Sequence, residues 1–231
     1  MSRSVDAAFG AETLRFLQEL SANNNREWFN ANKSRYESLV LDPSLAFIQS
    51  MQRPLETFAP HFTAVPKRVG GSLMRVYRDT RFGRKSEPYK TNIGIQFRHE
   101  RAKDVHSPGY YIHIEPGEVF IGVGMWRPEP PALAAIRTRI ADRGPEWRAA
   151  SRARSFVRHF EFAGETLVRP PRGYGKDHPA IEDIKRKDFI AIKQLGVRDP
   201  LAPGFRSDVI AAFRAATPYM QFLCKAVGIP F

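Results

Sequence analysis

A chain of 231 residues, 42% hydrophobic and 26% charged, has the composition of a folded globular protein and excludes a disordered one. Its 36 lysines and arginines against 24 acidic residues give a net charge of +12, which favours anionic partners: nucleic acid, phosphorylated metabolites or an acidic surface. The single cysteine, Cys224, excludes an internal disulfide and a cysteine-based zinc module, and no run of about 18 apolar residues offers a membrane span.

The first sixty residues read as helices, from about residue 11 to 58. Leu14, Leu17 and Leu20 recur at three-residue spacing beside Phe16. Asn23-Asn24-Asn25 breaks that pattern and offers a helix N-cap. From Arg26 to Val40, Phe29, Tyr36 and Val40 form one stripe. Asp42-Pro43 predicts the opening of a third helix, with Leu45, Ile48, Met51 and Leu55 on its apolar face and a kink or end at Pro54.

The period then changes from helical to alternating. Leu73–Arg78, Asn92–Arg98, Tyr110–Glu115 and Glu118–Trp126 predict strands, punctuated by Gly70-Gly71, Pro88, Pro108-Gly109 and Pro116-Gly117. Helices are expected again at Pro130–Arg143 and around Glu146–Arg154. A basic Pro/Gly loop runs from Arg169 to Lys176, and Asp177-His178-Pro179 is expected to cap a helix. Asp188–Leu195 predicts a fifth strand, and the C-terminal stretch is helical. Short links between strands favour an antiparallel sheet over βαβ units. The expectation is one α+β domain over residues 1–231: a central antiparallel sheet of about five strands flanked by N-terminal and C-terminal helices. The sheet core spans about 72–126, and a helical part with one further strand about 130–231. No apolar leader precedes the first helix, so a cytoplasmic location is expected.

Several strings are distinctive: Asn24-Asn25-Arg26-Glu27-Trp28-Phe29, Gly70 to Phe82 (GGSLMRVYRDTRF), Pro88-Tyr89-Lys90-Thr91-Asn92-Ile93-Gly94 and His113 to Glu118 (HIEPGE). With Arg186-Lys187-Asp188-Phe189 and Phe222-Leu223-Cys224, they make the chain resemble the domain of unknown function 2461 family, found in bacteria and fungi, from about Leu14 to Phe231. The resemblance implies a stand-alone domain and carries no activity, cofactor or catalytic residue with it.

The hairpin at Pro116-Gly117 predicts a register. A two-residue loop sets Glu115 opposite Glu118, Ile114 opposite Val119, His113 opposite Phe120, Ile112 opposite Ile121 and Tyr111 opposite Gly122. One face is then aliphatic. The other carries Tyr111, His113, Glu115, Phe120, Gly122, Gly124 and Trp126. The same alternation sends Gln96 and Arg98 to this polar face. Burying Met74 and Val76 adds Arg75, Tyr77 and Asp79. Glycines in a strand often mark the close approach of a ligand.

The stretch from Arg75 to Lys90 holds six bases, including Arg78 and Arg81, and arginine forks suit phosphate and carboxylate. Arg172 on the Pro/Gly loop is a further candidate for the same basin. His113 and Glu115, two residues apart on one face, suit an acid–base pair with Asp79 as an alternative orienter. They also resemble two metal ligands, with His106 or Asp79 as a third. The downstream Pro-Cys-x-x-Cys of zinc deaminases is missing, however, and no metal centre is expected. Nor are there P-loop, dinucleotide or nucleophile-elbow signatures, helix-turn-helix, or RNA-recognition aromatics. Three readings stay open: binding of an anionic, phosphate- or carboxylate-bearing small molecule; an enzyme using His113 and Glu115 on an anionic substrate; and a nucleic-acid-associated basic protein.

Overall fold

Period-two alternation in the middle of the chain builds a sheet with one aliphatic and one mixed face. The computed structural model describes residues 8–78, 87–102 and 106–231, so Asp79 and Arg81 lie outside the described residues. Among them, six strands form one antiparallel sheet: β1 (Phe62–Thr63), β2 (Ile93–His99), β3 (Gly109–Glu115), β4 (Glu118–Met125), β5 (Glu161–Ala163) and β6 (Phe189–Leu195). Their spatial order is β1-β2-β3-β4-β6-β5. The hairpin register is the predicted one, from Glu115 opposite Glu118 to Tyr111 opposite Gly122, and Gly117 takes the positive φ of 95° that the turn needs.

The aliphatic face carries Ile93, Ile95, Phe97, Tyr110, Ile112, Ile114, Val119, Ile121, Val123 and Phe189, all buried. The helices Asp42–Phe58, Phe205–Ala215 and Thr217–Ala226 cover it, with Phe213 packed on Phe97 and Tyr110. Cys224 is buried in this layer, which pushes its thiol up to about 12 and leaves it unreactive at neutral pH. No helix among the described residues is long and apolar enough to cross a membrane.

The expected count of about five strands is corrected twice. Leu73–Arg78 is not a strand and makes only isolated bridges, Leu73 with Ile95 and Tyr77 with Tyr89. Its first half leans on the edge of β2, where the Met74 N–H donates to the Gly94 carbonyl (2.9 Å) and the Gln96 N–H to that of Ser72 (2.8 Å). Its second half turns away to pair with residues 88–90, the Lys90 N–H donating to Val76 (2.7 Å). Six residues shared between two partners leave no continuous ladder. The strands β1 and β5, two and three residues long, are too short for periodicity to reveal.

The helices also depart from expectation at their prolines. Asp42-Pro43 does not open a new helix: the chain passes from a four-residue helix (Lys33–Tyr36) through a π turn (Glu37–Leu41) into the helix Asp42–Phe58 without a break. Pro43 has no N–H for the Leu39 carbonyl, and the Thr13 hydroxyl donates to it instead (2.7 Å). Pro54 lies inside the helix Asp42–Phe58 rather than ending it. The Ser50 carbonyl it leaves unpaired accepts from the Arg206 guanidinium (3.3 Å). The helix after Asp177-His178-Pro179 shrinks to four residues, Ile181–Ile184, capped by Ala180, and His178 instead holds a turn by accepting from the Ala180 N–H (3.1 Å).

Candidate functional site

Antiparallel pairing lays the mixed face out in rows across β2, β3, β4 and β6. One row is Arg98, Gly109, Gly124 and Ile190; the next is Gln96, Tyr111, Gly122 and Ile192; the third is Gly94, His113, Phe120 and Gln194. Over the first two rows, where Gly109, Gly122 and Gly124 form the floor, lies a cleft of about 810 Å³. That is an ordinary size for a small-molecule site.

The two sides of the cleft differ in chemistry. On the β2 side it is lined by Arg75, Lys90, Gln96 and Arg98, with the Gly70-Gly71-Ser72 loop and Met74. On the β4 and β6 side it is lined by Trp126, Ile190 and Ile192, and towards the third row by Phe120. Tyr111 stands between them. No aspartate or glutamate lines it among the described residues. Lys90 is held below its ordinary pKa, first by burial and then by the positive charges of Arg75 and Arg78. Arg98 makes one long bond, to the Gly71 carbonyl (3.5 Å), and neither Arg75, Lys90 nor Arg98 is ion-paired among the described residues.

Two structural devices hold the walls. Asn24 clamps the main chain of Tyr89: its amide donates to the Tyr89 carbonyl (3.0 Å) and its carbonyl accepts from the Tyr89 N–H (3.1 Å). Phe29 stacks on the Tyr89 ring at 4.0 Å, so the first helices fix the residue that precedes Lys90. On the opposite wall Asp188, 4% exposed, accepts from the Arg127 and Glu165 N–H groups (2.8 and 2.9 Å). Arg127 adopts φ 45° there and places its guanidinium 4.8 Å from the Trp126 ring, which is also stacked on His106. Trp126 remains 45% exposed.

His113 and Glu115 sit one and two rows away from the cleft and do not line it. His113 stacks on Phe120 (4.7 Å, 9°) and accepts at Nδ1 from the Tyr111 hydroxyl (3.2 Å). Its Nε2 donates to Glu115 (3.2 Å), whose other oxygen accepts from Thr91 (2.5 Å). Tyr111 links this chain to the cleft. Burial, reinforced by Glu115 and Glu118, pushes its phenol up to about 12, so it stays protonated and is a donor at neutral pH.

Of the residues expected at one site, Arg75, Lys90, Gln96, Arg98, Tyr111 and Trp126 line the cleft. Met74, expected in the core, lines it too, because Leu73 takes the buried position opposite Ile95. Tyr77 is 54% exposed and leans on Phe29 and Tyr89 instead. Arg78 is spent on the Tyr89 carbonyl (2.7 Å) and Glu87 (3.5 Å). Arg172 is exposed on its loop and does not reach the cleft. Sequence reasoning missed Ile190 and Ile192: Phe189-Ile190-Ala191-Ile192 is apolar on both faces, so alternation gave no signal.

Neither a curated protein nor a solved structure matches this chain. The family model described as a conserved hypothetical protein, DUF2461, matches residues 12–222, and the chain belongs to that family.

Proposed function

We propose that the cleft binds a small amphipathic anion, with its phosphate or carboxylate among Arg75, Lys90 and Arg98 and its apolar, preferably planar, body over Gly109, Gly122 and Gly124 against Trp126, Tyr111 and the two isoleucines. The observation that carries this is the unbalanced wall: three cations line an 810 Å³ cleft that contains no carboxylate among the described residues. Gathering like charges costs free energy unless an anion offsets it, and a partly dry site strengthens the attraction. The glycine floor admits a flat group close to the backbone. Enzyme action through His113 and Glu115 has less support, because those side chains stand behind Phe120 and reach the cleft only through Tyr111. Association with nucleic acid draws only on the overall charge.

A titration of phenyl phosphate, inorganic phosphate and benzyl alcohol, followed by thermal shift and Trp fluorescence, tests the proposal. Phenyl phosphate binds best, because it alone engages both walls. Equal responses to all three, or none to any, contradict it.

A further inference from the structure

The hairpin end next to the cleft contains an unresolved charge conflict. Glu115 and Glu118 are direct cross-strand partners, and like charges in that position destabilise a hairpin. The chain has 36 lysines and arginines, yet among the described residues neither glutamate is paired with one; the only ionic contact is Glu115 with His113. The side chains around the pair leave two donor atoms pointing at the same place. Thr91 occupies one oxygen of Glu115, and Tyr111 and Asn92 lie at Nδ1 of His113 (3.2 and 3.4 Å). The remaining Glu115 oxygen and His113 Nε2 are 3.2 Å apart, and a carboxylate oxygen of Glu118 lies with them in a group no more than 4.8 Å across.

We propose that His113, Glu115 and Glu118 bind a divalent transition-metal ion of the zinc or manganese type. Two ligand atoms about 2.0–2.2 Å from such an ion sit roughly 3.0–3.5 Å from each other, which the Nε2–oxygen distance already satisfies. Glu118 is exposed and closes the remaining gap by side-chain rotation. An imidazole nitrogen with two carboxylates favours zinc or manganese over magnesium and calcium, which take oxygen ligands. The hydroxyls of Thr91 and Tyr111 and the Asn92 amide orient the ligands from behind, as partners of metal-bound carboxylates and imidazoles commonly do. On binding, the neutral imidazole changes tautomer: Nε2 gives up its proton to solvent and Nδ1 takes one up from solvent, donating it to the Tyr111 hydroxyl oxygen. The ion neutralises the opposed glutamates and, through His113, stiffens the Tyr111 wall. The site is separate from the anion cleft, with Phe120 between them, so either can exist without the other.

The test uses the full chain stripped with a chelator and titrated calorimetrically with Zn²⁺, Mn²⁺, Mg²⁺ and Ca²⁺, with Tm measured at each end point. Zinc or manganese should bind at one equivalent and, at about 100 times Kd, raise Tm by roughly 5–10 °C. Magnesium and calcium should give little. Glu118→Gln and His113→Gln should each weaken binding at least about tenfold. Glu118→Gln should also leave the metal-free protein at least as stable as the wild type, because it removes the repulsion. No one-equivalent binding of zinc or manganese overturns the proposal. So does binding that survives both substitutions, which would place the ion elsewhere, for instance at the exposed His61–Glu100 pair. A metal-free Glu118→Gln protein that is less stable than wild type overturns the charge-conflict premise.

Discussion

Lys90 shows what the cleft demands of single residues. A lysine whose pKa is lowered on folding carries its charge at a cost, so the ligand-free fold gains stability as pH rises through that lowered value towards the ordinary 10.5. Removing the charge has the same sign. Lys90→Met is expected to raise Tm of the ligand-free protein by about 1–3 °C while weakening binding of an aryl phosphate on the order of tenfold or more, a trade of function for stability read by thermal shift and titration on one sample. The glycines divide in the same spirit. At Gly122 an added Cβ meets nothing nearer than 3.8 Å, so Gly122→Leu should fold with near-normal Tm and abolish binding by filling the floor. Gly124 has φ 116°, and a Cβ there runs into the Phe189 carbonyl. Gly124→Ala is therefore expected to cost more than about 3 kcal/mol in a denaturant melt, whatever it does to the ligand. Neighbouring glycines on one strand thus serve different ends: one leaves room, the other permits a backbone path.

Between elements, the stability of the site depends on contacts that span long sequence distances. Asn24→Ala removes both bonds to the Tyr89 main chain, 65 residues away. It should cost about 1–3 kcal/mol and weaken anion binding as well, because Lys90 follows Tyr89 directly. Binding unchanged in that variant would uncouple the first helices from the cleft. Such long-range clamps explain where the sequence was legible and where it was not. The Pro116-Gly117 hairpin was legible in full, because two alternating strands and a turn of fixed length specify each other. Arg75, Lys90, Gln96, Arg98, Tyr111 and Trp126 were legible because alternation and charge density lie within the chain's own neighbourhood. The run Asn23-Asn24-Asn25 read as a helix cap, and Asn25 is that cap, accepting from the Trp28 N–H, but Asn24 reaches across to another segment, which no local pattern records. The smooth passage of the helix Asp42–Phe58 through Pro54 was hidden for the same reason, since the group that satisfies the freed Ser50 carbonyl is Arg206, 156 residues from Ser50. Leu73–Arg78 had the alternation of a strand, yet its two halves have different partners, which no local period records.

For the whole molecule, the excess of +12 does not by itself choose a partner. Many of the bases are paired locally, as in Arg35 with Glu19, Arg139 with Glu146, Arg78 with Glu87 and Lys187 with Glu165, which leaves the excess itself unchanged. What distinguishes one place is the convergence of Arg75, Lys90 and Arg98 on a cleft with an apolar far wall. A basic surface used for nucleic acid would lose on the order of 10³-fold in affinity between 50 and 200 mM salt if six bases met phosphates. A three-cation cleft should lose far less for a small anion, and the difference is visible in a salt series with single-stranded DNA and phenyl phosphate side by side. The most direct measurement is calorimetric titration of phenyl phosphate into wild-type protein, Arg98→Met and Gly122→Leu at a fixed 150 mM salt, about the physiological ionic strength. One equivalent is expected to bind to the wild type, with at least about tenfold weaker binding for Arg98→Met and none for Gly122→Leu, both variants being folded. Binding of equal strength in all three proteins, or no binding to the wild type, would contradict it.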